Sequence, residues 1–163
     1  MNHRKLGANP TAPTGDVLIS GLTLITEPGT VLPDSAILIR NGLIAEIGPS
    51  NAVAARHQDL DAVDAKGFIA MPGLINAHTH VAMGFFRGLG HGQDEMIERF
   101  FFPAESSLTP ELLAPLSYSY IYAGLVAGVT TFSDHYYFSE GVANAMERFG
   151  VRAVVGETLA DLG

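Results

Sequence analysis

Met71-Pro72-Gly73-Leu74-Ile75-Asn76-Ala77-His78-Thr79-His80 is the stretch on which the reading of this chain turns. A Pro-Gly turn feeds a short apolar run, Leu74 to Ala77, which predicts a buried strand ending in two histidines one residue apart. Strand side chains alternate between faces, so residues i and i+2 share one. His78 and His80 are therefore expected to project together from the strand's C-terminal end, where two imidazoles suit one divalent metal. A polar cluster at a strand end, with no metal, is the bland alternative for any such pair.

Outward from that run the chain changes rhythm. On its N-terminal side, short β runs lie at Val17–Ser20, Leu22–Thr26, Ala36–Arg40 and Leu43–Ile47. Further runs are expected at Leu60–Asp64 and Phe68–Ala70. Asn41-Gly42, between two of these runs, predicts a tight type I′ hairpin, since both positions favour positive φ. Residues 51–58 read as a short helix or loop. Together these predict part of a small β-sandwich over residues 15–70, preceded by a flexible tail at 1–14.

On its C-terminal side, strands alternate with helices. Gly84 to Gln93 reads as a long glycine-rich loop, and Asp94 to Phe102 as a helix. Thr109-Pro110-Glu111 is a helix start, with Thr as N-cap and Pro at the first helical position. Leu112, Leu113, Leu116, Tyr120, Ala123 and Ala127 follow as the expected buried stripe, with Pro115 bending the helix and Gly128 ending it. Val129–Ser133 is then a second strand, Glu140–Phe149 a helix, and Val151–Val155 a third strand. This β-α-β-α-β order predicts parallel pairing, so residues 71–163 read as three βα units.

The words around the histidines carry a resemblance. Asp64 to His80, then Met83-Gly84-Phe85-Phe86-Arg87-Gly88, Pro103-Ala104-Glu105 and Gly128 to Asp134, resemble the amidohydrolase superfamily. The similarity is to its aminohydrolase branch, acting on purines, pterins, triazines and S-adenosylhomocysteine-like nucleosides. It implies an α/β fold: the N-terminal part of a (β/α)8 TIM barrel preceded by part of a β-sandwich. It also implies a divalent metal, zinc or alternatively iron, with His78 and His80 as two of its ligands. The remaining ligands and the proton-shuttling carboxylates are expected on later strands. Zinc lowers the pKa of a coordinated water from about 15.7 to about 7, ~12 kcal/mol of stabilisation, which no side-chain base matches at neutral pH.

Further candidates surround the pair. Glu105 matches, by its Pro-x-Glu setting, a substrate-contacting acid of the nucleoside deaminases; an acid in a helix-flanking loop is the alternative. Arg87 is a candidate for an anionic substrate group, with an ordinary surface or loop-anchoring arginine as the alternative. Asp134 and His135 are expected just past the second strand, with His135 a candidate hydrogen-bond partner for a heterocycle. Glu157 departs from the resemblance, since S-adenosylhomocysteine deaminases tend to show an arginine near it, and an acid there would suit a cationic or amino-bearing substrate better than a carboxylate. His3, His57 and His91 read as solvent-exposed.

Composition excludes other classes. Hydrophobic residues make up 47 % and charged residues 16 % of 163, which indicates a globular chain. The net charge is −8 with nine scattered Lys and Arg, so no basic stripe exists to track nucleic acid. There is no cysteine, hence no disulfide or thiolate chemistry. No phosphate loop or Gly-x-Ser-x-Gly elbow occurs, and no run is apolar enough to span a bilayer. A cytoplasmic protein without membrane partners is the expectation.

The expected function is hydrolytic deamination of a small heterocyclic substrate by metal-activated water. The alternatives are a cyclic-amide or carbamate hydrolase, or an inactive fragment acting through association. A complete barrel needs roughly 200 to 250 residues, so an exposed barrel edge and homo-oligomerisation are expected.

Overall fold

The computed structural model describes residues 15–89, 91, 92 and 94–159. The tail expected at 1–14 lies outside them. The chain divides into two compact units at Pro72/Gly73.

The N-terminal unit is a five-stranded sheet. Its strands are β1 (Val17–Glu27), β2 (Thr30–Arg40), β3 (Leu43–Pro49), β4 (Ala62–Asp64) and β5 (Ile69–Ala70). Their order is β3-β2-β1-β4, with β5 also against β1; β2 pairs antiparallel with both β1 and β3, while β4 and β5 pair parallel with β1. The two runs expected at 17–20 and 22–26 form one strand. Gly21, at φ +84°, absorbs a register shift between Ile19 and Leu22 and donates its N–H to Ser50 Oγ at 3.0 Å. Asn41 and Gly42 take φ 51° and 74°, the tight turn their pairing predicts.

Alternation sorts this unit's side chains. Leu18, Ala36 and Leu38 bury with Val53 of α1 (Ser50–Arg56), while Leu22, Leu24, Ile37 and Ala65 form a second cluster. His57, expected in solvent, is half-buried with Nε2 2.7 Å from Glu46 Oε2. Contact with His57, then Arg56, holds the Glu46 carboxyl below its usual range.

The C-terminal unit has three parallel strands in the order β6-β7-β8: Leu74–Thr79, Val129–Tyr136 and Arg152–Glu157. Between β6 and β7 come a 3-10 helix (Val81–Phe86), a π-helical turn (Ile97–Phe101), α2 (Phe102–Glu105) and α3 (Pro110–Val126). α4 (Ser139–Phe149) joins β7 to β8. Helices pack on one face of the strands, where Val81, Leu113, Ile121, Phe132, Val142 and Met146 are buried. On the other face Ile75 and Val154 are each 69 % exposed. The architecture is mixed α/β, and no helix of the described residues is long and apolar enough to cross a membrane.

Several expectations for this unit need correction, the first being the buried strand, since Leu74, Ile75 and Ala77 of β6 are exposed. The glycine-rich stretch is not loop throughout, because Val81–Phe86 coils into the 3-10 helix. The helix expected at 94–102 is a π turn followed by α2. Pro103 has no N–H to continue an i→i−4 ladder, and the N–H of Phe102 bonds the carbonyl of Ile97 five residues back. In α3 the buried stripe is Leu113, Ser117 and Ile121, while Leu112, Ala123 and Ala127 are exposed. Helix α3 is apolar almost all round, so its sequence offers little contrast to mark the inward face.

Candidate metal centre

β7 runs to Tyr136, three residues beyond its expected end. Parallel pairing to β8 continues through His135↔Gly156 and Tyr136↔Glu157, and Thr158 N–H reaches the Tyr136 carbonyl at 3.1 Å. Asp134 and His135 thus lie on the strand, on opposite faces. Phe132, Asp134 and Tyr136 point into the core, while His135 faces the open side.

At the same end of β6, the ladder to β7 shifts register between Asn76 and Thr79. Asn76 pairs with Phe132 but Thr79 with Asp134, so one extra residue is accommodated on β6 beside His78. The result brings His78, His80 and His135 together, with one ring nitrogen from each lying within 4.8 Å of the others. Ring centroids stand 5.0 Å apart for His78–His80, 5.5 Å for His78–His135 and 4.3 Å for His80–His135. The expected pair is present, and His135 joins it.

Hydrogen bonds fix two of the rings. His80 Nδ1 lies 2.6 Å from the His135 carbonyl oxygen. A carbonyl only accepts, so Nδ1 carries the hydrogen and Nε2 keeps its lone pair. His135 Nδ1 is 3.1 Å from Thr158 Oγ1.

Beneath them Asp134 is 3 % exposed; Oδ2 accepts the Val81 N–H at 2.7 Å, while Oδ1 has no partner among the described residues. Burial pushes the Asp134 carboxyl pKa upward. Three imidazole donors over a buried carboxylate with an unmatched oxygen are a donor set that fits a divalent cation.

Two recesses flank His80 and share Met83, Met96 and Phe101. One, of about 470 Å³, is bordered by His78, Arg87 and His91. The other, of about 370 Å³, is bordered by Glu105, His135 and Tyr136. Arg87 and His91 are exposed, whereas Glu105 is half-buried on α2 rather than in a loop. The Tyr136 hydroxyl donates to Glu105 Oε1 at 2.6 Å, and burial with that acid beside it pushes the phenol pKa far upward. The sequence did not mark Tyr136 and Thr158 as site residues, because each lies three residues past the expected end of its strand, Ser133 and Val155 respectively.

Glu157 is exposed and serves the backbone of α4. Its Oε1 accepts the Phe138 N–H at 2.9 Å and its Oε2 the Ser139 N–H at 2.7 Å, closing the first turn of α4. Phe138 needs that support, since its φ of 51° is left-handed.

Residues 69–163 match the sequence model of the Amidohydrolase family. The chain belongs to that family. It is 38 % identical over 156 residues to a 5-methylthioadenosine/S-adenosylhomocysteine deaminase of Syntrophobacter fumaroxidans, covering 89 % of this chain and 34 % of that protein. A 5'-deoxyadenosine deaminase of Methanobrevibacter smithii is 41 % identical over 137 residues, covering 78 % of this chain and 29 % of that one. This amidohydrolase chain thus spans about a third of the length of the curated relatives it matches. Among solved structures, an adenosine deaminase from Xanthomonas campestris with bound zinc superposes with a TM-score of 0.73 at 27 % identity. That match covers 85 % of this chain and 33 % of the other.

Proposed function

We propose that this chain is the metal-holding, N-terminal part of a hydrolytic deaminase acting on an adenosine-type nucleoside. In this reading residues 15–70 are part of a β-sandwich, and residues 71–163 are the first three βα units of a (β/α)8 barrel. One observation carries it: imidazoles from the C-terminal ends of two adjacent parallel strands converge, where β/α barrels build their active sites. The names of the two deaminase relatives, and the zinc bound by the structural neighbour, point the same way.

His78 and His80 would hold the ion, zinc in the first instance and iron as the alternative. When bound, such an ion supplies Lewis acidity and makes water nucleophilic at neutral pH. The chain's own residues do the rest of what this segment contributes. The His135 carbonyl keeps the His80 ring in one tautomer and one orientation. The His135 ring, tied at Nδ1 by Thr158, offers its other nitrogen to the heterocycle. Glu105 accepts hydrogen bonds from donor groups of the substrate in the smaller recess, and Arg87 borders the larger one. The apolar walls made by Met83, Met96 and Phe101 exclude water around the ring.

The test is ammonia release from 5'-deoxyadenosine by the full-length protein, with zinc and iron content measured in parallel. We expect turnover together with bound metal. His78→Ala should lose most of the metal and at least about a thousandfold in kcat/KM, the order expected when a principal electrostatic element of catalysis is removed. Metal-replete protein that releases no ammonia from any aminopurine nucleoside would end this reading.

A further inference from the structure

We propose that Tyr136 is a positioning residue for Glu105: its phenol pins one carboxylate oxygen so that the other faces the ligand's hydroxyl donors. This rests on the reading of Glu105 as a substrate contact.

The segment that carries Glu105 is poorly anchored. Among the described residues from Asp94 to Ser106, none is buried. Their backbone hydrogen bonds stay within the segment or reach only to Ser107 and Leu108. Aromatic contact does hold it, since Phe101 lies 5.6 Å from Phe86, but stacked rings do not orient a carboxylate. The Tyr136 phenol supplies that orientation. Among the described residues it makes the one side-chain hydrogen bond joining residues 94–106 to a strand. At 2.6 Å it is in the range of a charge-assisted O–H···O⁻ bond, the strong kind.

Tyr136 is itself rigidly held. It is 4 % exposed, its backbone is paired to β8, and its ring lies 6.0 Å from the His80 ring. One side chain therefore spans from the histidine cluster to the acid, and fixes the distance between the place of reaction and the place of recognition. A phenylalanine would fill the same space. The hydroxyl is explained by the carboxylate it meets. With Oε1 taken, Oε2 remains as an acceptor on the smaller recess, which suits the vicinal hydroxyls of a ribose.

The experiment compares wild type, Tyr136→Phe and Glu105→Gln in the full-length protein. The substrates are 5'-deoxyadenosine and 2',3',5'-trideoxyadenosine, which lacks the hydroxyl donors. Hydrogen exchange of residues 97–106 is followed alongside. Tyr136→Phe should raise KM for 5'-deoxyadenosine on the order of tenfold, with a much smaller change in kcat. It should leave KM for the trideoxy compound nearly unchanged, follow Glu105→Gln in losing discrimination, and quicken exchange in 97–106. An equal KM change on both nucleosides, or none on either, overturns the proposal. Wild type that deaminates neither nucleoside defeats the functional reading instead. Exchange then decides the tether alone: quicker exchange in Tyr136→Phe sustains it, and unaltered exchange overturns it.

Discussion

Glu157 shows how a single side chain at the strand ends can be spent on structure. The hydroxyl and the N–H of Ser139, then the N–H of Phe138, hold its carboxyl below the usual range of 4.5. A carboxyl lowered in the folded state contributes stability above its unfolded pKa, and loses it as pH falls through the folded pKa. Glu157→Gln should therefore flatten the acid side of the stability profile below about pH 4.5, read from urea midpoints between pH 3 and 7. At neutral pH the cost is about 0.5–1 kcal/mol, the low end for a helix cap, because the group is almost fully solvated. An unchanged acid limb would show that the two backbone bonds are not sustained in solution. Read from sequence alone, Glu157 looked like a substrate acid, since nothing in a string of letters shows which N–H groups a carboxylate will meet. The His78–His80 pair was legible for the opposite reason. Two-residue periodicity is a property of the strand itself and needs no tertiary knowledge.

The elements were legible where local chemistry is strict. Asn41-Gly42, Thr109-Pro110 and Gly150 mark a turn, a start and a stop, and the structure has them there; Gly150 takes φ +66°. They were misread where tertiary pairing decides. β7 is prolonged by its partner strand, and α3 chooses its inward face by what packs on it. That choice is visible at the α3–α4 crossing, where a Cβ built on Gly141 would stand 2.7 Å from Leu113 Cβ and 3.0 Å from the Pro110 carbonyl oxygen. Both obstacles belong to or adjoin the helix backbone and cannot swing aside. Gly141→Ala should cost about 1–3 kcal/mol despite its better helix propensity, seen as a lowered Tm. A neutral or raised Tm would mean the two helices sit further apart than this approach implies.

For the molecule as a whole, each unit leaves apolar surface uncovered. Leu43 is 72 % exposed, Phe68 70 % and Ile69 65 % in the first unit, with Ile75 and Val154 on the open strand face of the second. Surfaces of this kind associate. Residues 1–163 produced alone should show a concentration-dependent rise in sedimentation coefficient, whereas a strictly monomeric species over a hundredfold range would contradict that. The slipped ladder beside His78 has a different consequence. Sliding β7 by one position would turn His135 away from its two companions and present Asp134 or Tyr136 instead, because every strand residue changes sides together. Correct alignment of the two strands therefore decides whether the imidazole that Thr158 steadies stands beside His78 and His80 or on the far side of the sheet.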